Sequence, residues 1–142
     1  MKILSKLSLI SLLTLCLMIS KSALAEIAVV VSASNNNAVS QSEIKRIFLG
    51  KLKKFPDGSS VTPINQNAEL DLRKAFDEIA LGKSASQIKS YWAKEIFSGK
   101  GNPPKEVNSD QEVIAEVSSN PNAIGYVDAA SVNGSVKVVA TF

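Results

Sequence analysis

Strand and helix signals alternate along the sequence and predict a small α/β layered domain. Three observations carry that expectation. Ile27–Val31, "IAVVV", is an unbroken β-branched run, as expected of a strand covered on both faces. Ser40 with Glu43, Ser84 with Gln87 and Ser109 with Glu112 are capping boxes that each open a helix. Two further apolar runs, "AIGYV" and "VKVVA", close the chain as strands.

The elements follow in order. After the first strand, "SASNNNAVS" is a polar connection. Ile44, Ile47 and Phe48 then form the buried stripe of a helix that ends at Gly50. "KLKKFPDGSS" is a basic loop whose Pro56-Asp57-Gly58 supplies the turn chemistry. Val61–Asn65 reads as a short strand, with Pro63 marking an edge or a strand start. Asn67 is suited to cap the next helix, with Leu72, Phe76 and Ile79 facing inward. Gly82 stops that helix, and Ser84 opens another that buries Ile88, Trp92 and Ile96. "SGKGNPPK" breaks the chain before a helix through Val113, Ile114 and Val117. Asn133-Gly134 then predicts a hairpin between the last two strands. The expected order is β-α-β-α-α-α-β-β.

The amino terminus suggests export. Lys2 and Lys6 precede an apolar run from Leu7 to Ile19, and Ala23-Leu24-Ala25 is a signal-peptidase pattern. The run is too short for a stable membrane anchor. Leu15 before Cys16 argues against lipid attachment. Residues 1–25 are therefore expected to be a removed signal peptide and residues 26–142 a single domain, periplasmic or secreted. Lys2, Lys6 and Lys21 leave with the peptide and no carboxylate does. The remainder then balances 13 basic against 13 acidic residues, so bulk charge does not suggest a nucleic-acid partner. The single Cys leaves as well, and His is absent, so thiolate chemistry and His-based metal sites are excluded.

No motif points to catalysis or a cofactor. Gly82-Lys83-Ser84 resembles the end of a phosphate-gripping P-loop, but Asp77 stands where its first glycine belongs. "GKS" is a helix stop followed by a helix start. Ser42/Lys45 and Ser86/Lys89 match an acylating Ser-x-x-Lys pattern without its companion elements. Asp77-Glu78, Asp110 with Glu112, and Glu69 with Asp71 are paired carboxylates on polar helix faces or first turns, where the helix dipole favours acids. Tyr91 and Trp92 are read as core, and Gly125 as a point of close approach by a packed neighbour.

A resemblance adds to this. "IFLGK" at 47–51, "SYWAKEIFSGKGNPPK" at 90–105 and "NPNAIGYVDAASV" at 120–132 resemble the phosphate-binding proteins of phosphate ABC transporters. They are closer still to a group of short, exported relatives of that family. The resemblance covers nearly the whole exported chain. It implies a single lobe of a type II periplasmic-binding-protein-like fold, and a solute-binding protein that takes phosphate or another small oxyanion. Its expected ligand residues are Asn65, Gln66 and Arg73, at the end of the second strand. The Gly/Ser/Thr-rich phosphate turn of the family is replaced here by "NQNAELDLRKAF", where Glu69 and Asp71 compete with an anion. An ABC permease or another envelope protein is the expected partner, and two alternatives follow: a one-lobe scaffold without ligand that contacts another envelope protein, and a dimer that rebuilds the cleft.

Overall fold

The computed structural model describes residues 26–142. The expected signal peptide, residues 1–25, lies outside the described residues. Five strands form one mixed sheet: β1 (Ile27–Ser32), β2 (Thr62–Gln66), β3 (Lys105–Val107), β4 (Ala123–Asp128) and β5 (Val136–Thr141). Four helices flank it: α1 (Gln41–Phe48), α2 (Asp71–Ile79), α3 (Ala85–Phe97) and α4 (Asp110–Ser119). The sheet order is β3-β2-β4-β1-β5. β2 runs parallel to β3 and β4, whereas β1 is antiparallel to β4 and β5. The carboxyl ends of β2, β3 and β4 therefore share one edge of the sheet with the amino end of β1.

Every residue of β1 is buried, as its apolar run predicts. Its odd positions Ile27, Val29 and Val31 pack into an aromatic-rich core with Ile124 and Tyr126 of β4 and residues of α1, α2 and α3. Its even positions Ala28 and Val30 pack on the other face with Ile64, Val127 and the α4 residues Val113, Ile114 and Val117.

The capping boxes at Ser40 and Ser84 are complete. At α4, Ser109 accepts from the Glu112 N–H, but the Glu112 carboxylate reaches back to the Asn108 N–H instead of the Ser109 N–H. Gly50 and Gly82 both adopt positive φ just beyond helix ends, as their sequence positions require.

Four expectations need correction. β4 and β5 do not form a hairpin, because β1 lies between them. A strand buried on both faces also needs partners along both edges, and β4 and β5 supply them. Residues 129–135 carry the chain across the second face to reach β5, and Ala129 and Val132 pack there. "SGKGNPPK" runs into the three-residue strand β3, too short to show a period. Of the two places expected for Pro63, the strand start holds: β2 is interior to the sheet, and Pro63 lies one residue before the pairing with β3 begins, so no β3 bond is lost. α2 starts after Leu70, and Asn67 makes a local turn by accepting from the Glu69 N–H. Finally, Ile79 and Ile96 are 53% and 52% exposed. Both sit at the last turn of a helix, where the inward stripe runs past the edge of the core.

Candidate functional site

An open cleft of about 530 Å³ lies at the carboxyl ends of β2 and β4. In open α/β sheets this edge is the usual place for a ligand. One wall is the side of α2 that carries Leu72 and Ala75, half-buried against the core, and the exposed Ile79; the opposite side is Asn108, Ser109 and Asp110 at the start of α4, with Asp128 nearby. The amino termini of α2 and α4 both open here. A helix amino terminus attracts anions through its free N–H groups and its dipole. Each of these helices already carries a carboxylate of its own at its first residue, Asp71 and Asp110.

The Asp110 carboxylate is fully engaged. Oδ1 accepts from Gln66 Nε2 at 2.8 Å, and Oδ2 accepts from the Asp128 N–H at 3.1 Å and from Ser131 Oγ at 2.7 Å. It ties the ends of β2, α4 and β4 together.

Asn65, Gln66 and Arg73 stand together behind the cleft. Gln66 lines it, and its side-chain amide is shared between Asp110 and the Tyr126 carbonyl. Asn65 is buried, and its Oδ1 accepts from the Tyr126 hydroxyl and from the Gln66 N–H. Arg73 is only 4% exposed. Its Nε donates to Asp77 at 2.9 Å, and its Nη1 donates to the Gln66 carbonyl at 2.7 Å and to Glu106 at 3.0 Å. The guanidinium thus holds β2, α2 and β3 in register and meets two carboxylates within the chain.

Asp77 is 2% exposed, not on a polar helix face as its sequence position suggested. It lies one helical turn from Arg73, so both fall on the buried side of α2. Glu78, its neighbour, is exposed. Burial pushes the Asp77 carboxyl above the usual carboxylate range, with Arg73 pulling against it. Burial also works against the Arg73 charge, but Asp77 and Glu106 more than offset this and raise its pKa. Arg73 therefore stays a cation. Tyr126 is pushed well above the ordinary phenol value by burial, so it acts as a neutral donor to Asn65.

Sequence reasoning places Asp77 on a polar helix face and does not assign Glu106 or Tyr126 to the site. The i,i+4 spacing of Arg73 and Asp77 was a usable signal, but Glu106 reaches Arg73 only because β3 pairs with β2. Among the described residues no group of carboxylates is arranged to hold a metal. No described helix is long and apolar enough to cross a membrane.

No family model matches the chain, and no curated protein matches it. Solved structures share its fold. An ABC-type phosphate transport receptor from Vibrio cholerae aligns with a TM-score of 0.63 at 20% identity, over 81% of this chain and 46% of the receptor. A protein described as a phosphate ABC transporter substrate-binding protein, with bound phosphate, from Clostridium perfringens aligns with a TM-score of 0.64 at 22% identity, over 81% of this chain and 45% of that one. PstS from Borrelia burgdorferi gives 0.59 at 15% identity, over 82% and 47%. The chain spans less than half the length of each of these proteins. It matches a fragment of the periplasmic-binding-protein fold, a mixed five-stranded sheet flanked by helices.

Proposed function

We propose that this chain is a one-lobe, exported protein of the solute-binding type whose cleft closes on a polypeptide surface instead of a free anion. One observation carries this reading: the cationic and helix-end groups behind the cleft are already matched by internal carboxylates. Arg73 meets Asp77 and Glu106, and the first turns of α2 and α4 hold Asp71 and Asp110. An incoming oxyanion would have to displace Glu106 and approach Asp71, Asp110 and Asp128. The α2 wall of Leu72, Ala75 and Ile79 offers it nothing, but suits apolar side chains. The contact is with an envelope protein, and the chain acts by binding, without catalysis or a cofactor.

A second reading keeps phosphate, or another small oxyanion, as the ligand of an ABC transport component, held by Asn65, Gln66 and Arg73. It is favoured by the fold shared with phosphate receptors and by the convergence of all three residues on one strand end.

Calorimetric titration of the purified protein with phosphate and sulfate separates the two. The polypeptide reading expects no heat. It also expects a photocrosslinker at Ala75 in exporting cells to give a discrete adduct that the same group at Ser118 does not. Saturable phosphate binding would hand the site to the second reading.

A further inference from the structure

The cleft has a counterpart at the opposite edge of the sheet. After α3 the chain turns back toward the amino end of β3, where Asn102, Pro103 and Pro104 line a groove with Thr62 and Pro63 of β2 and with Trp92 of α3. That is the far edge from the carboxyl ends that form the cleft. At the end of α3, Phe97 is 94% exposed, and Ile96 beside it is half exposed. Together they make a small exposed apolar patch at the helix tip. Lys94 and Lys100 bracket the pair, both exposed, with Glu95 half-buried beside them. Gly99 turns the chain just past the helix, with φ of 70°, and so holds Phe97 at a helix tip.

The two edges are complementary. One presents an apolar wall of Leu72, Ala75 and Ile79 rimmed by Asp71, Asp110 and Asp128. The other presents Ile96 and Phe97 rimmed by lysines. They cannot meet within one molecule, because they sit at opposite edges of the same sheet. Two clefts facing each other would set three carboxylates against three, which weighs against a symmetric cleft-to-cleft dimer.

We propose that the occupant of the cleft is a second copy of this chain, with Ile96 and Phe97 of one copy seated against Leu72, Ala75 and Ile79 of the next. Lys94 and Lys100 then face Asp71, Asp110 and Asp128. The contact is head-to-tail, so each copy keeps one free cleft and one free helix tip. Such a contact builds chains or rings and does not stop at a closed pair. Because Lys94, Lys100 and Asp71 are solvent-exposed, salt weakens it.

This inference rests on the reading of the cleft as a polypeptide site. Its test is sedimentation velocity of the purified protein over a range of concentrations. Wild type is expected to exceed twice the monomer mass as concentration rises, and to shift back toward monomer in high salt. Phe97→Asp and Ile79→Lys are both exposed changes expected to keep the native circular dichroism and to sediment as monomers. Mixed in equal amounts, they are expected to form one species of twice the monomer mass, since the first supplies an intact cleft and the second an intact tip. A wild type that stays monomeric, or a mixture that does, overturns the second-copy proposal. If the Ala75 adduct survives that result, the cleft still serves another protein; if it is also missing, the polypeptide reading falls with it.

Discussion

The two faces of the sheet are packed by different means. On one face Phe48, Phe76 and Tyr126 fill the space beneath α1 and α2, with Phe76 stacked on Tyr126 at a centroid distance of 3.8 Å. On the other face β1 and β4 present Ala28, Val30, Ala123, Gly125 and Val127, and α4 lies directly on them. A Cβ built on Gly125 would stand 2.6 Å from Val113 Cγ1. The first face is filled by volume and the second by closeness. Removing atoms should therefore hurt the first face, and adding atoms the second.

The largest expected effect is on the aromatic face. Phe76→Ala removes the ring stacked on Tyr126 and should cost about 3–5 kcal/mol in urea unfolding. Arg73→Ala, at the border between this core and the cleft, should follow closely. It leaves the buried Asp77 carboxylate without its partner, a loss of about 3–5 kcal/mol in similar settings. A double replacement, Arg73→Met with Asp77→Leu, should recover most of that loss, because the pair's joint desolvation cost disappears with it. If the double variant is no more stable than the single one, Arg73 is held in place by its bonds to the Gln66 carbonyl and Glu106 more than by Asp77.

On the close-packed face the expected penalty runs the other way. Gly125→Ala should cost about 1–3 kcal/mol by overpacking against α4. Adding Val113→Ala should relieve part of it, since Val113 is the side chain the new methyl meets. Two destabilising changes that partly cancel would confirm that contact.

The smallest effect lies on the surface, away from both faces. Asp57 accepts from the side chain and backbone of Ser59 and from Asn37, which lowers its pKa below the ordinary 3.8. A depressed carboxylate contributes stability that is present above pH 3.8 and lost as pH falls through the lowered value. Asp57→Asn should flatten the acid limb of the thermal midpoint below about pH 4, leaving the neutral plateau nearly unchanged. An unchanged acid limb would place that loss on other carboxylates, among them Glu43, which is lowered by its capping bonds to Ser40.

Local chemistry by itself determined much of this protein. The cap at Ser40, the helix stops at Gly50 and Gly82 and the all-buried β1 depend on neighbours within a few residues, so they could be read directly. Gly125 likewise announced a close neighbour, although not which helix. Strand order was decided elsewhere. Asn133-Gly134 carries a hairpin signal, but a turn fixes only local direction, and the demand of β1 for partners on both edges outweighed it. The candidate site divides the same way. Asn65, Gln66 and Arg73 are grouped at one strand end by the family resemblance. That Arg73 also meets Glu106 depends on β3 pairing with β2, a contact spanning some forty residues. Only the tertiary structure brings those charges together, because no local rule fixes the distance between two strands so far apart in the chain.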